Sequence, residues 1–297
     1  MRAAECGFLL LSSHLGDESR KPLTAPQLRN LAHRMQVLER PVQDRQLEIA
    51  DLLSLGYGSE MAERILSLLS QERQLDAYLK SAAACGCYPI TRVSEHYPLI
   101  LRKRMGLDAP GCLWVKGDIS LLSLPAVALV GSRDLMAQNR NFAQEVGRQA
   151  ARQGYVLVSG NARGADRTAQ ESCLKAGGAV ISVVADELYK QPQRDRILYV
   201  SEDGFAESFS TVRALSRNHV IHALGLKTFV AQCDLKKGGT WSGTAKNLHS
   251  GWSDVFAYGD GSEASFALEQ LGANLIGMKE LDSFYDLQGC QKNMFDR

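Results

Sequence analysis

From Pro125 onward, short and nearly unbroken apolar runs alternate with stretches whose apolar residues recur every third or fourth position. The runs are AVALV, YVLVS, AVISVV, ILYVS, KTFVAQ, DVFAY and a weaker ANLIG. Between the first two, residues 138–153 place Phe142, Val146 and Ala150 on one helical face and Arg140, Gln144, Arg148 and Arg152 on the other. A strand that is apolar on both sides must be covered on both sides, and a helix after each strand supplies the cover. The pattern predicts a doubly wound α/β fold around a largely parallel sheet.

All strand carboxyl ends of such a sheet open on one edge, where ligands bind. Two turns there share one build. Gly131-Ser132-Arg133 follows the first strand, and Ser159-Gly160 leads through Arg163 and Gly164 to Asp166 after the second. Gly131, Gly160 and Gly164 let an anion approach backbone amides, and the helix starts offer unpaired N–H groups. Ser132 and Ser159 add hydroxyl donors, while Arg133 and Arg163 add charge in a forked geometry suited to phosphate. Asp166 is expected to cap its helix or to hold Arg163 or the turn amides. The competing reading is two tight strand-to-helix turns with solvated arginines. Further along, TVRALSRNHVIHALG carries Arg213, Arg217 and Asn218, with Arg213 and Arg217 four apart on one face. LKKGGTWSGTAKNL brackets small residues with Lys236, Lys237 and Lys246, and Trp241 either stacks on a base or packs beneath its own loop. His219 and His222 sit on adjacent turns with no further ligand pattern.

Up to residue 82 the spacing is helical. Thr24 is a candidate N-cap ahead of Pro26, followed by Leu28, Leu31, Met35 and Leu38 along one face. Two later helices break at Gly56-Tyr57-Gly58, which is either a helix-hairpin-helix turn with amides toward a DNA phosphate or a plain helix corner. Residues 83–124 are rich in turn signals and read as a connecting segment docking on the second domain, with CLWVKG a short strand. The division is thus 1–82 helical, 83–124 connecting and 125–297 phosphate-binding.

A formal charge of +1 excludes a uniformly basic surface, so affinity for nucleic acid must come from a local patch. Seven scattered cysteines lack paired zinc spacing and fit reduced thiols in the cytoplasm. GFLLLSSHL reads as a buried helix segment rather than a signal peptide, and no run reaches the length of a membrane span. No metal, cofactor or catalytic residue is expected.

These residues resemble the DNA-processing protein A family, also called Smf, over most of residues 88–277. The family's Tyr-Pro to Lys-Gly stretch is here YPLILRKRMGLDAPGCLWVKGD. Its Gly-Ser-Arg turn is Gly131 to Arg133, its Ser-Gly-x-Ala-(Arg/Lys)-Gly-x-Asp turn is Ser159 to Asp166, and its Arg-Asn-Arg signature is Arg217-Asn218-His219. The resemblance implies an extended Rossmann-like domain, often behind a helical one, that binds single-stranded DNA in a basic pocket without chemistry. It assigns Arg133 and Arg163 to that pocket and implies a homodimer that hands the strand to a RecA-type recombinase, notably in natural transformation. The chain departs from the family at His219, at the Gly-Gly-Thr-Trp-Ser-Gly-Thr turn, and at AYGDGSEAS, which stands where a Pro-Gly is usual. It ends at Arg297, so the winged-helix domain of many members is not expected. Three other roles fit the pattern: an antitoxin or partner of a cognate toxin in a phage-defence operon, a nucleotide sensor, and a nucleoside-monophosphate phosphoribohydrolase with Asp166 as its acid or base.

Overall fold

The computed structural model describes residues 1–36 and 46–289, so Leu38 and Cys290 lie outside the described residues. The amino-terminal part is helical: α1 Ala3–Ser12, α2 Ala25–Met35, α3 Ile49–Ser54, α4 Ser59–Leu69 and α5 Glu72–Ala84. Thr24 stands at the α2 N-cap, where Gln27 Oε1 accepts its backbone N–H at 2.9 Å, and Pro26 costs nothing in the first turn. Leu23, Leu31, Leu52, Ala62, Ile65 and Leu68 form the core of this bundle.

The sheet then builds in the order β1 Tyr88–Thr91, α6 Leu99–Met105, β2 Cys112–Gly117, β3 Ala126–Val130, α7 Ala137–Arg152, β4 Val156–Ser159, α8 Ala165–Lys175, β5 Val180–Val183, β6 Ile197–Ser201, α9 Thr211–Leu224, β7 Lys227–Val230, α10 Gly238–Ser250, β8 Asp254–Tyr258, α11 Glu263–Gln270 and β9 Asn274–Ile276. The spatial order is β1-β2-β6-β5-β4-β3-β7-β8-β9. Pairing is parallel from β6 through β9, while β1 and β2 join antiparallel at one edge.

All seven apolar runs form strands, and β3 to β6 are buried along their whole length, which is why they lack polar alternation. Alternate residues of β3 serve opposite faces. Val127 and Leu129 pack with Phe142 and Val146 of α7 and Ala169 of α8, whereas Ala126, Ala128 and Val130 pack with Val220 and Leu224 of α9. The sheet begins earlier than the alternating pattern indicates: residues 83–124 do not merely dock but add β1 and β2 to it. No helix follows either strand in the parallel manner, so the βα rhythm could not mark them. Tyr78 of α5 meets Trp114 of β2 at 5.2 Å between ring centroids and Phe205 at 4.9 Å, which seats the helical part on that edge.

No helix among the described residues is long and apolar enough to cross a membrane. The six described cysteines are free thiols. Trp241 is half-buried against the core on the α9 side of the sheet.

Beneath α9 and α10 lies a buried polar network. Asn247 Oδ1 accepts the Ser253 N–H at 3.0 Å, so its amide nitrogen faces His222 Nδ1 at 3.2 Å. Nδ1 is therefore the acceptor and the ring proton sits on Nε2, which has no partner. Burial pushes the His222 pKa from the ordinary 6.5 down to about 3. A histidine with a depressed folded value stabilises the fold above its unfolded pKa, and that stability is lost as pH falls. Between pH 7 and pH 5 this group is expected to cost about 2 kcal/mol of folding stability. Urea denaturation across that range should show the loss in the parent and a flatter profile in His222→Gln; parallel profiles would contradict the assignment.

Candidate functional site

Strand order reverses between β3 and β7: crossovers from β3 run one way across the sheet through α7 and α8, and those from β7 the other way through α10 and α11. At this junction the carboxyl ends open into a cleft of about 480 Å³, which continues past Arg133 into a second lobe of about 460 Å³.

The turns after β3 and β4 form one wall and touch backbone to backbone. Gly164 takes φ 88°, and a Cβ there would collide with the carbonyls of Ser132 and Arg133. The Ala165 N–H donates to Ser132 O at 3.1 Å. From the other side, Gln232 at the end of β7 clamps the same turn. Its carbonyl accepts the Ser132 N–H at 2.8 Å, its Oε1 accepts the Met136 N–H at 2.9 Å, and its Nε2 donates to Asp134 O at 3.2 Å.

The floor is a buried ion pair. Arg217 Nη1 lies 3.6 Å from Asp166 Oδ2 and donates to Val183 O at 3.2 Å, while Arg217 Nε has no partner. Gly160 makes room for this pair, because a Cβ there would strike both the guanidinium and the carboxylate. Burial raises the Asp166 carboxyl above the usual range, opposed first by the Arg217 charge and then by the Ala162 N–H, which donates to Oδ2 at 3.2 Å. Asp166 thus holds a turn amide and Arg217, not Arg163.

On the rim, Arg133 is exposed and has no hydrogen bond or ion pair among the described residues. Arg163 shares the second lobe with it, but its Nη2 pairs with Asp134 Oδ1 at 2.8 Å, both side chains being largely exposed. Water screens such a pair, so it gives way readily to another anion. Opposite stand Lys237 and the first turn of α10, Gly238 to Thr240, with no side-chain cap. Lys236 adopts the left-handed region, φ 54°, just before this turn. Uncapped amides at a helix start carry partial positive charge, so this end of α10 completes an anion cradle. Asn218 lines the cleft and donates to Gly239 O at 3.1 Å, tying α9 to that turn.

Several residues singled out in the sequence do other work. Ser159 is fully buried, donates to Leu129 O at 2.8 Å and lies beside the Asp166 carboxyl, so its hydroxyl acts beneath the cleft rather than on its surface. Arg213 donates to Asp203, Ala185 O, Glu207 O, Ser208 O and Ser201 Oγ, which commits the guanidinium to the end of β6 and the loops after β5 and β6. Lys246 is exposed well along α10, outside the cleft lining, where its charge adds to burial in lowering the His219 pKa. At Gly56-Tyr57-Gly58 the first two N–H groups donate to Leu53 O and Leu52 O, and Tyr57 bonds Asn30 at 2.8 Å beneath the Arg34 guanidinium. Two of the turn's amides are therefore used within the corner itself, while α4 follows Gly58 with no side-chain cap. Gln232, which braces the cleft wall, and Phe209, which lines the cleft, have no motif in the sequence to mark them. Gln232 was visible only as a polar residue ending an apolar strand, and Phe209 as one of two phenylalanines in the loop after β6; Phe209 stands 54% exposed and lines both lobes.

A family model described as DNA recombination-mediator protein A matches residues 89–276, more than half of the chain and all of the cleft. The chain belongs to this family. It is 33% identical over 205 residues to DNA processing protein DprA of Streptococcus pneumoniae, covering 64% of this chain and 68% of that one. It is 30% identical over 241 residues to protein Smf of Escherichia coli, covering 76% of this chain and 63% of that one. The solved Streptococcus pneumoniae DprA shares the fold with a TM-score of 0.66 at 23% identity, covering 90% of this chain and 99% of that one. A Helicobacter pylori DNA processing protein A, whose structure was described for its single-stranded DNA binding mode, gives 0.55 at 22%, covering 66% and 94%.

The two arginine roles separate in stability measurements. Arg213→Ala removes several charged hydrogen bonds at once and is expected to cost about 3 kcal/mol in urea denaturation. Arg133→Ala should stay within about 0.5 kcal/mol of the parent, as exposed unpaired residues do. Equal losses would contradict this division.

Proposed function

We propose that this DprA-family chain binds single-stranded DNA by its phosphates, without chemistry, in the cleft between β3 and β7. The observation that carries the reading is an exposed, unpartnered Arg133 that lines one cleft with Lys237 and the uncapped first turn of α10. A phosphate there accepts from a planar guanidinium and from backbone amides already pointed at it. Lobes of about 480 and 460 Å³ each suit a nucleotide, which favours a single flexible strand over a stiff duplex. Phe209 at their boundary offers a stacking face. As in the Helicobacter pylori relative described with single-stranded DNA, the strand is the ligand. In this reading the chain acts as a homodimer that passes the strand to a RecA-type recombinase during DNA processing.

Asp166, the residue nominated as acid or base for a phosphoribohydrolase, is buried, ion-paired and already accepting a backbone amide. Glu202, whose carboxyl burial and the neighbouring Asp203 push up to about 7, accepts from Ser216 outside the cleft lining. Both arrangements favour binding over bond cleavage.

Fluorescence anisotropy with labelled oligo-dT tests the reading. The double variant Arg133→Ala, Lys237→Ala is expected to bind at least tenfold more weakly. Its slope of log affinity against log salt should be shallower by about 0.7 for each phosphate that is no longer neutralised. Unchanged affinity and slope would overturn the proposal.

A further inference from the structure

The second lobe of the cleft contains a feature that phosphate binding leaves unexplained: a carboxylate in the lining of an anion site. Asp186, just beyond the end of β5, is half-buried and lines this lobe with Asn161, Phe209 and the two rim arginines. Its orientation is fixed by a relay. Gln191, itself buried, donates from Nε2 to Asp186 Oδ1 at 3.1 Å and to Glu187 O at 3.3 Å. Both partners are acceptors, so Gln191 must present its NH2 group to them and its Oε1 to Asn161. Asn161 accordingly donates from Nδ2 to that oxygen at 3.0 Å, which leaves its Oδ1 as the free end. The relay ends in acceptors at both extremities: Asp186 Oδ2 and Asn161 Oδ1. Beside the rim arginines, these two acceptors are able to take hydrogen bonds from donors on a ligand.

The geometry points to a base-reading subsite in which Asp186 accepts hydrogen bonds from the Watson–Crick edge of a guanine whose ring stacks on Phe209. The inference rests on the proposed strand binding and deepens it. Guanine presents two adjacent donors, N1–H and the N2 amine, matching the two coplanar oxygens of one carboxylate. Cytosine and adenine present a single amine, and thymine opposes the carboxylate with carbonyl oxygens on either side of N3–H. Unstacked bases of a single strand expose this edge, which a duplex hides. Arg217 borders the same lobe, nine-tenths buried and paired with Asp166, so it shapes the floor beneath that nucleotide.

The test is anisotropy on the full chain with a labelled dT hexamer in which one central base is dT, dG, deoxyinosine, dC or dA. The dG oligomer is expected to bind about tenfold more tightly than all-dT, the low end for a bidentate base contact. Deoxyinosine, which lacks the N2 amine, should fall between them. Asp186→Asn must turn its own oxygen to Gln191 and its NH2 to the base. It should bring dG to within about twofold of dT, each measured in the same variant. The base series on the parent protein stands without the variant. Equal affinity for dG, deoxyinosine and dT overturns the subsite but leaves Arg133-dependent strand binding intact, whereas loss of all oligomer binding would sink the strand reading itself.

Discussion

Contact between the turns after β3 and β4 is the constraint on which the cleft depends. Gly164 lies against the carbonyls of Ser132 and Arg133, and the Ala165 N–H closes the contact on Ser132 O. With the turns locked together, α8 enters at an angle that points Asp166 inward, and Arg217 arrives from α9 to meet it. Arg133 then has no internal carboxylate to satisfy and remains on the rim. Any side chain at 164 must displace backbone, not another side chain, so the turns could not approach this closely without glycine.

The charges fall into two populations with different physics. Arg217 and Asp166 are buried, and removing one would leave the other unpaired at a cost of several kcal/mol. They set the shape of the floor and hold the Ala162 amide. Arg133, Arg163 and Lys237 are on the surface, where binding rearranges water and counterions with little effect on the fold. Asp134 tempers this by pairing with Arg163. With a formal charge of only +1, the chain's attraction for a phosphate backbone must come from local groups such as these.

The sheet could be read from the sequence because burial on both faces leaves a continuous apolar trace, and all seven runs from AVALV to ANLIG carry it. β1 and β2 were less legible, since antiparallel strands at an edge need no helix after them. At the candidate site, residue type and position singled out the glycine turns and Arg133, Arg217 and Asn218, which the fold brings to one cleft. Arg213 has the same type and lies on the same helix as Arg217, yet it serves loop carbonyls, a difference set by where the β6 loop folds and invisible in helical spacing. Ser159 failed for a related reason: a hydroxyl at a strand end looks alike whether it faces solvent or reaches across to the next strand. Gln232 acts through three hydrogen bonds to a turn some hundred residues earlier in the chain, and no local pattern encodes such a partner.

A crystal structure of the chain with a short dT oligonucleotide tests the central claim most directly. A phosphate should lie within hydrogen-bond reach of the Arg133 guanidinium and of the first-turn amides of α10, with the Arg217–Asp166 pair intact beneath it. A strand bound along the α7–α8 surface or on the helical domain, with Arg133 still solvated, would contradict it.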